Sequence, residues 1–234
     1  MSQTAHAHLT ADFARDGYVI LPDLLGAEEC DTLKAEARRV LDAHARPGAS
    51  VYVHVAATSL RFQALAEDPR IVGPLAEIMP HGVMFLSDKI VYKSASKTFA
   101  TPWHIDSFYW RNTRSKLSVW IPLDDATPEN GTLTVVPGSH RRDWQMVKKG
   151  LASGEFHDEV ANADWRTNEV VTCAISRGTA IVFSDRLVHG STANTAGRDR
   201  YAIISTYHAP AADEPFDLDF PARKVLIRPP QSVG

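Results

Sequence analysis

Beyond Pro80 the chain divides into short runs rich in β-branched and aromatic residues, and this most narrows the folds open to it. The runs are residues 83–92, 117–123, 133–136, 169–175, 180–183, 200–207 and 224–227. Turn-forming clusters separate them: Pro128-Glu129-Asn130-Gly131, Pro137-Gly138-Ser139, Arg177-Gly178 and residues 194–197. The segments before Pro80 are helical instead. Residues 9–16 suit a short helix with Thr10 as N-cap, which Gly17 stops before a strand-like Tyr18-Val19-Ile20-Leu21. Gly26 opens a second helix, where Cys30, Leu33, Ala37, Val40 and Leu41 recur on one apolar stripe. Residues 44–58 form a loop with a short strand at 51–55, and residues 61–79 form two helices parted by Asp68-Pro69, with a second break at Gly73-Pro74. Helices first and then about eight strands predict an α+β domain, mainly β, built on a sandwich or barrel.

The 234 residues suit one domain with a substantial core, and no linker or internal repeat divides them. Residues 1–8 and 229–234 read as flexible tails. Residues 141–168 are polar yet carry Trp144, Phe156 and Trp165, more aromatic mass than a solvated loop needs, so they read as a lid insertion. A net charge of −3 gives no case for nucleic-acid or membrane-surface binding. No apolar run approaches the roughly 20 residues of a membrane span. Two distant cysteines, Cys30 and Cys173, with no leader-like N-terminus, predict a reducing cytoplasm, and the helical stripe makes Cys30 a buried hydrophobe.

His104 and Asp106 in Pro102-Trp103-His104-Ile105-Asp106 are two apart. On a strand that spacing puts both side chains on one face, where they can supply two ligands to a divalent metal. This composition yields about one His-x-Asp by chance, so the pair alone decides nothing. His189 stands where an apolar segment meets a turn, and His54 and His208 on strand-like segments are rivals for a third ligand. His140 follows a turn and suits a structural role there. Arg200 alternates with Ala202, Ile204 and Thr206 onto one strand face. If that face is internal, the guanidinium needs an anion: either an Asp or Glu of the chain, or a bound carboxylate.

Four segments, taken together, resemble the phytanoyl-CoA dioxygenase family of iron(II)- and 2-oxoglutarate-dependent oxygenases, which includes ectoine hydroxylase. They are residues 13–22, Phe-Ala-Arg-Asp-Gly-Tyr-Val-Ile-Leu-Pro; the His104–Asp106 motif; Glu129-Asn130-Gly131-Thr132-Leu133 running to Val136-Pro137-Gly138-Ser139-His140; and His189-Gly190-Ser191 with Asn194 and Arg200. The resemblance implies a double-stranded β-helix, the cupin-like jelly roll, with N-terminal helices packed on it. It further implies that His104, Asp106 and His189 bind Fe(II), leaving three positions for 2-oxoglutarate and O₂. Arg200, Ser191 and Trp120 would hold 2-oxoglutarate, and Trp110, Phe183 and Lys93 would border a substrate pocket. Thr134 would join that pocket from its own strand if it faces inward, which its alternation leaves open. Ordinary packing is an equal reading for the aromatics, and a surface position an equal one for Lys93. Because the carboxylate of Asp106 is present, hydroxylation of a small metabolite is expected rather than halogenation. An acyl-CoA substrate, a zinc hydrolase and a silent binding protein remain rival readings.

Overall fold

In this computed structural model, residues 3–45, 49–110, 113–148, 158–161, 169–211 and 219–228 are described, with residues 3–7 described in backbone only. The helices are α1 Gln3–Asp16, α2 Ala27–His44, α3 Leu60–Ala66 and α4 Pro69–Ile78. α1 starts well before residue 9, because Ala5 and Ala7 favour a helix and no breaker precedes Gly17. Residues 229–234, read as a tail, lie outside the described residues.

α4 runs unbroken through Gly73-Pro74, against expectation. Asp68 caps it by accepting from Arg70 N at 2.8 Å, and Pro69 takes the first turn, where no N–H is needed. Pro74 removes one helical hydrogen bond. Burial of Ile71, Val72 and Leu75 along one face outweighs that loss.

A large antiparallel sheet carries the core. It is ordered β1 Tyr18–Leu21, β10 Ala180–Ser184, β5 Lys116–Pro122, β12 Arg200–His208, β3 Val83–Lys93 and β13 Lys224–Ile227, with β2 Val51–Val53 also on β3. A second sheet is ordered β4 Thr101–His104, β11 His189–Ser191, β6 Leu133–Val135 and β9 Val171–Thr172. Together they form the jelly roll. The 169–175 run keeps only two strand residues, because its sole ladder partner is the three-residue β6.

The central strands of the large sheet, β10, β5, β12 and β3, are largely buried on both faces. Phe85, Ile90, Val119, Ile121, Val182 and Tyr201 face outward onto the helices in one cluster. Tyr207 joins the same layer, its hydroxyl donating to Ala66 O at 2.9 Å. The inner face, read from the register of β3, β12 and β5, carries Lys89, Val91, Lys93, Arg200, Ala202, Ile204, Ser118 and Trp120. The helices therefore stabilise one face, and the other is free for chemistry.

Within residues 141–168, β7 Met146–Lys148 and β8 Asp158–Val160 form a hairpin. Trp144 packs beside Ile105, Val136, Val160 and Val188. Phe156 and Trp165, with the rest of the expected lid, lie outside the described residues.

Gly17 ties the helical opening to the central turn. It adopts φ +80°, and a Cβ there would lie 2.3 Å from His140 Nδ1. Gly17→Ala combines left-handed strain with that clash and is expected to cost about 2 kcal/mol or more. The melting temperature should then fall by roughly 4–8 °C, readable by circular dichroism.

Candidate metal centre and its two cavities

β4 and β11 are paired with His104 directly opposite His189. Both imidazoles are buried, with ring centroids 4.2 Å apart. β4 ends at His104, but Ile105 keeps extended backbone (φ −119°, ψ 139°) before a 3₁₀ turn at Asp106–Phe108. Asp106 therefore emerges on the His104 side. Its Oδ1 lies 3.6 Å from His104 Nε2 and 3.7 Å from His189 Nε2. One donor atom from each of the three falls within 4.8 Å of the others.

The backbone orients both rings. His104 Nδ1–H donates to Pro102 O and His189 Nδ1–H to Leu187 O, each at 2.9 Å. A carbonyl only accepts, so the proton sits on Nδ1 and Nε2 offers its lone pair to the shared point. Ser118 Oγ donates to Asp106 Oδ2 at 3.1 Å, leaving Oδ1 to face the imidazoles. Burial alone would raise the Asp106 carboxyl, but His189, His104 and Lys89 hold it well below the usual range. Burial, reinforced by His104, lowers His189 to about 4. Gly190 permits the close packing of the two strands: a Cβ there would stand 2.8 Å from Thr101 O.

Arg200 closes the other end of the same cavity. It is buried, its Nη2 donates to Gly131 O at 3.0 Å, and its guanidinium lies 5.5 Å from the centre of the Trp120 ring. Among the described residues Nε and Nη1 have no hydrogen-bond partner. Burial lowers its pKa to about 10, so the charge is kept at neutral pH. Asp124, the carboxylate that supports it electrostatically, is itself occupied by Lys34 and by Tyr201 N. A buried cation with two open N–H groups fits a carboxylate ligand. Two imidazoles and a carboxylate likewise fit a divalent metal with open positions.

Ser191 also lines this cavity, its Oγ donating to Thr101 Oγ1 at 2.8 Å and accepting from Lys93 Nζ at 2.7 Å. Lys93 is fully buried rather than on the surface, and it stands behind Ser191 instead of bordering a substrate pocket. Its Nζ also donates to Thr192 O at 2.5 Å. Burial and then Arg200 lower it to about 7. Phe183 likewise lies in the metal cavity, its ring 4.7 Å from His189, and not in the outer one. Thr134 lines neither cavity: Leu133 takes the inward position on β6, so alternation turns Thr134 away. Trp110 does line a second, outer cavity that adjoins the first. Of the rival histidines, His54 borders that outer cavity and His208 borders neither.

Three contributors escaped the sequence reading: Ser118, Thr101 and Lys89. Ser118 lies two residues from Trp120, and Lys89 four from Lys93, so the period-two alternation would have placed both inward.

The site and fold define a class, a two-histidine, one-carboxylate centre inside a jelly roll with a buried arginine. Residues 13–202 match the phytanoyl-CoA dioxygenase (PhyH) family, and the chain belongs to that family. The ectoine dioxygenase of Sphingopyxis alaskensis is 27% identical over 252 aligned positions, covering 95% of this chain and 82% of the relative. The L-proline trans-4-hydroxylase of Streptomyces griseoviridis is 28% identical over 160, covering 60% of each. Among solved structures, the epimerase SnoN of nogalamycin biosynthesis, in complex with Fe³⁺, alpha-ketoglutarate and nogalamycin RO, matches with a TM-score of 0.74. It is 26% identical, with 94% of this chain and 91% of that one covered. The chain is thus an iron(II)- and 2-oxoglutarate-dependent oxygenase.

Two outcomes test the geometry. Ser118→Ala frees Asp106 to rotate and should weaken divalent-metal binding by about 10-fold or more, read by Co(II) titration. Lys93 supplies a pH signature. Its folded pKa of about 7 lies below the ordinary 10.5, so across that window the unfolded chain binds more protons. The Lys93 contribution to stability must then rise with pH from about 7 to 10.5. Lys93→Met should gain most over the parent at pH 7 and below, and that gain should shrink towards pH 10 in denaturant titrations.

Proposed function

We propose that the enzyme hydroxylates an unactivated C–H bond of a small metabolite, with His104, Asp106 and His189 as metal ligands and Arg200 as anchor of 2-oxoglutarate. The observation that carries the assignment is the pair of unpartnered Arg200 N–H groups facing the cavity that the triad closes. Bound Fe(II) would supply the redox chemistry with 2-oxoglutarate and O₂, releasing succinate and CO₂.

The chain's own residues bind, orient and exclude water. The Nδ1–H bonds of the histidines lock both rings before metal arrives, so little reorganisation is left to the loaded state. Trp120 backs the Arg200 guanidinium and fixes its plane, so that its free edge is presented to a carboxylate. Ser191 adds a hydroxyl beside that edge, oriented by Thr101 and Lys93. Phe183 against His189 and Ile204 on the wall keep the metal side apolar. The outer cavity, rimmed by Trp110 and reaching Asp106, is the place for the substrate. Its size suits a small molecule better than an acyl-CoA. We also read the chain as one catalytic domain.

Under nitrogen, Fe(II) and 2-oxoglutarate together should give a visible charge-transfer absorption. Arg200→Ala should weaken the 2-oxoglutarate dependence of that band by roughly 10- to 150-fold, as expected for one charge-assisted partner. His104→Ala should abolish it while leaving the far-ultraviolet circular dichroism intact. A wild-type protein without the band would defeat the assignment.

A further inference from the structure

The outer cavity measures about 290 Å³, and two residues line both it and the metal cavity: Asp106 and Lys89. Its other walls are largely apolar, with Val51, Val53, Tyr109, Trp110 and Phe220. His54 completes them from a left-handed backbone (φ 62°), rare for a residue with a side chain. The ring is held at Nδ1, 3.1 Å from Ser87 Oγ, and lies edge-on to Phe220 at 5.5 Å. Burial lowers His54, which makes it an uncharged wall at neutral pH. Asp88 borders the cavity as well, but strand alternation turns its carboxylate towards the helices, where Oδ1 accepts from Ala56 N at 2.9 Å.

Lys89 is therefore the cavity's one inward charge among the described residues, apart from Asp106. It lies opposite Ile204, on the face that also carries Lys93 and Arg200. Among the described residues its Nζ makes no hydrogen bond or ion pair. A half-buried cation beside a divalent-metal site raises the electrostatic cost of loading that site, so an arrangement that keeps it needs a compensating anion. The loaded site does not otherwise contain one. A divalent metal with Asp106 carries one positive charge, and the two carboxylates of 2-oxoglutarate with Arg200 bring the whole to neutral. Lys93 is already partnered, by Ser191 Oγ and Thr192 O. Lys89 is left over.

We infer that Lys89 receives an anionic group, a carboxylate, on the primary substrate, whose apolar or aromatic body fills the outer cavity. The inference rests on the dioxygenase reading above and names its substrate class. The co-substrate is a poor alternative occupant. Its distal carboxylate belongs at Arg200 and its other end at the metal, whereas Lys89 lines the outer cavity as well as the metal cavity. A substrate pinned at Lys89 would also lie directly beside that metal ligand, which is where a C–H bond must be held.

The test uses Co(II)-loaded protein saturated with 2-oxoglutarate and isothermal titration with paired probes: benzoate and benzamide, phenylacetate and phenylacetamide, indole-3-acetate and indole-3-acetamide. At least one acid should bind about 10-fold or more tightly than its amide. Lys89→Met should erase that ratio. In the same variant 2-oxoglutarate should lose clearly less affinity than it loses in Arg200→Ala. Removing an unpartnered cation should leave the melting temperature of Lys89→Met at or above wild type, which controls for folding. The inference is overturned if no acid outbinds its amide, if the preference survives in Lys89→Met, or if Lys89→Met loses 2-oxoglutarate as Arg200→Ala does. Failure of wild-type protein to bind 2-oxoglutarate at all would instead remove the dioxygenase reading, and this inference with it.

Discussion

The ladder between β4 and β11 is the constraint on which the rest of the site depends. It sets His104 opposite His189, and in each case the carbonyl two residues earlier in the chain, Pro102 O or Leu187 O, accepts from the ring and fixes it. Gly190 lets the strands approach, since any side chain there would strike Thr101 O. Once the two rings face each other, a single extended residue, Ile105, is enough to bring Asp106 into the same space. The centre is thus a consequence of strand pairing, with loops contributing only the last ligand. That makes it more rigid than a site assembled from loops alone.

The inner face of the large sheet is the expensive part of the molecule. Arg200 and Lys93 are buried there and Lys89 half-buried, against the one carboxylate of the centre. A purely structural sheet would carry apolar residues in those places, as the outer face does against the helices. Buried charge without partners destabilises a fold by several kcal/mol per ion in the worst case. The helical layer and its continuous core offset that cost from the opposite side of the same strands. Division of labour between the two faces explains why a chain of this length spends four helices on packing.

Much of this was legible in the sequence because it depended on local pattern. The strand series after Pro80, the apolar stripe of α2 and the His-x-Asp spacing all survive in the structure. Arg200 was traceable inward on condition that the face it shares with Ala202 and Ile204 is internal, and the register shows that it is. The misreadings share one origin, tertiary context overriding a local signal. Pro74 breaks an isolated helix but not one whose Ile71, Val72 and Leu75 are buried. Lys93 was placed either at a substrate pocket or on the surface, yet the ladder to Arg200 carries it into the barrel behind Ser191. Phe183 was assigned by likeness to a position and Thr134 from a strand whose alternation left its face open, whereas the register of two different strands decides which cavity, or neither, they meet.

Lys89 shows where pattern and chemistry have to be read together. Alternation alone places it inward, but so it does Val91, which is unremarkable in a core. The distinction is electrostatic. Val91 needs nothing from its surroundings, while a half-buried ammonium that makes no hydrogen bond or ion pair among the described residues, and whose nearby carboxylate Asp106 belongs to the metal centre, gains from an anion supplied from outside. The same reasoning applied to Arg200 points to the co-substrate, because its open N–H groups face the cavity closed by the triad. Applied to Lys89, it points to the other cavity, the one with aromatic walls. On the reading proposed above, two cations on one strand pair divide two anions between them, and Asp106, common to both cavities, marks the boundary at which they meet.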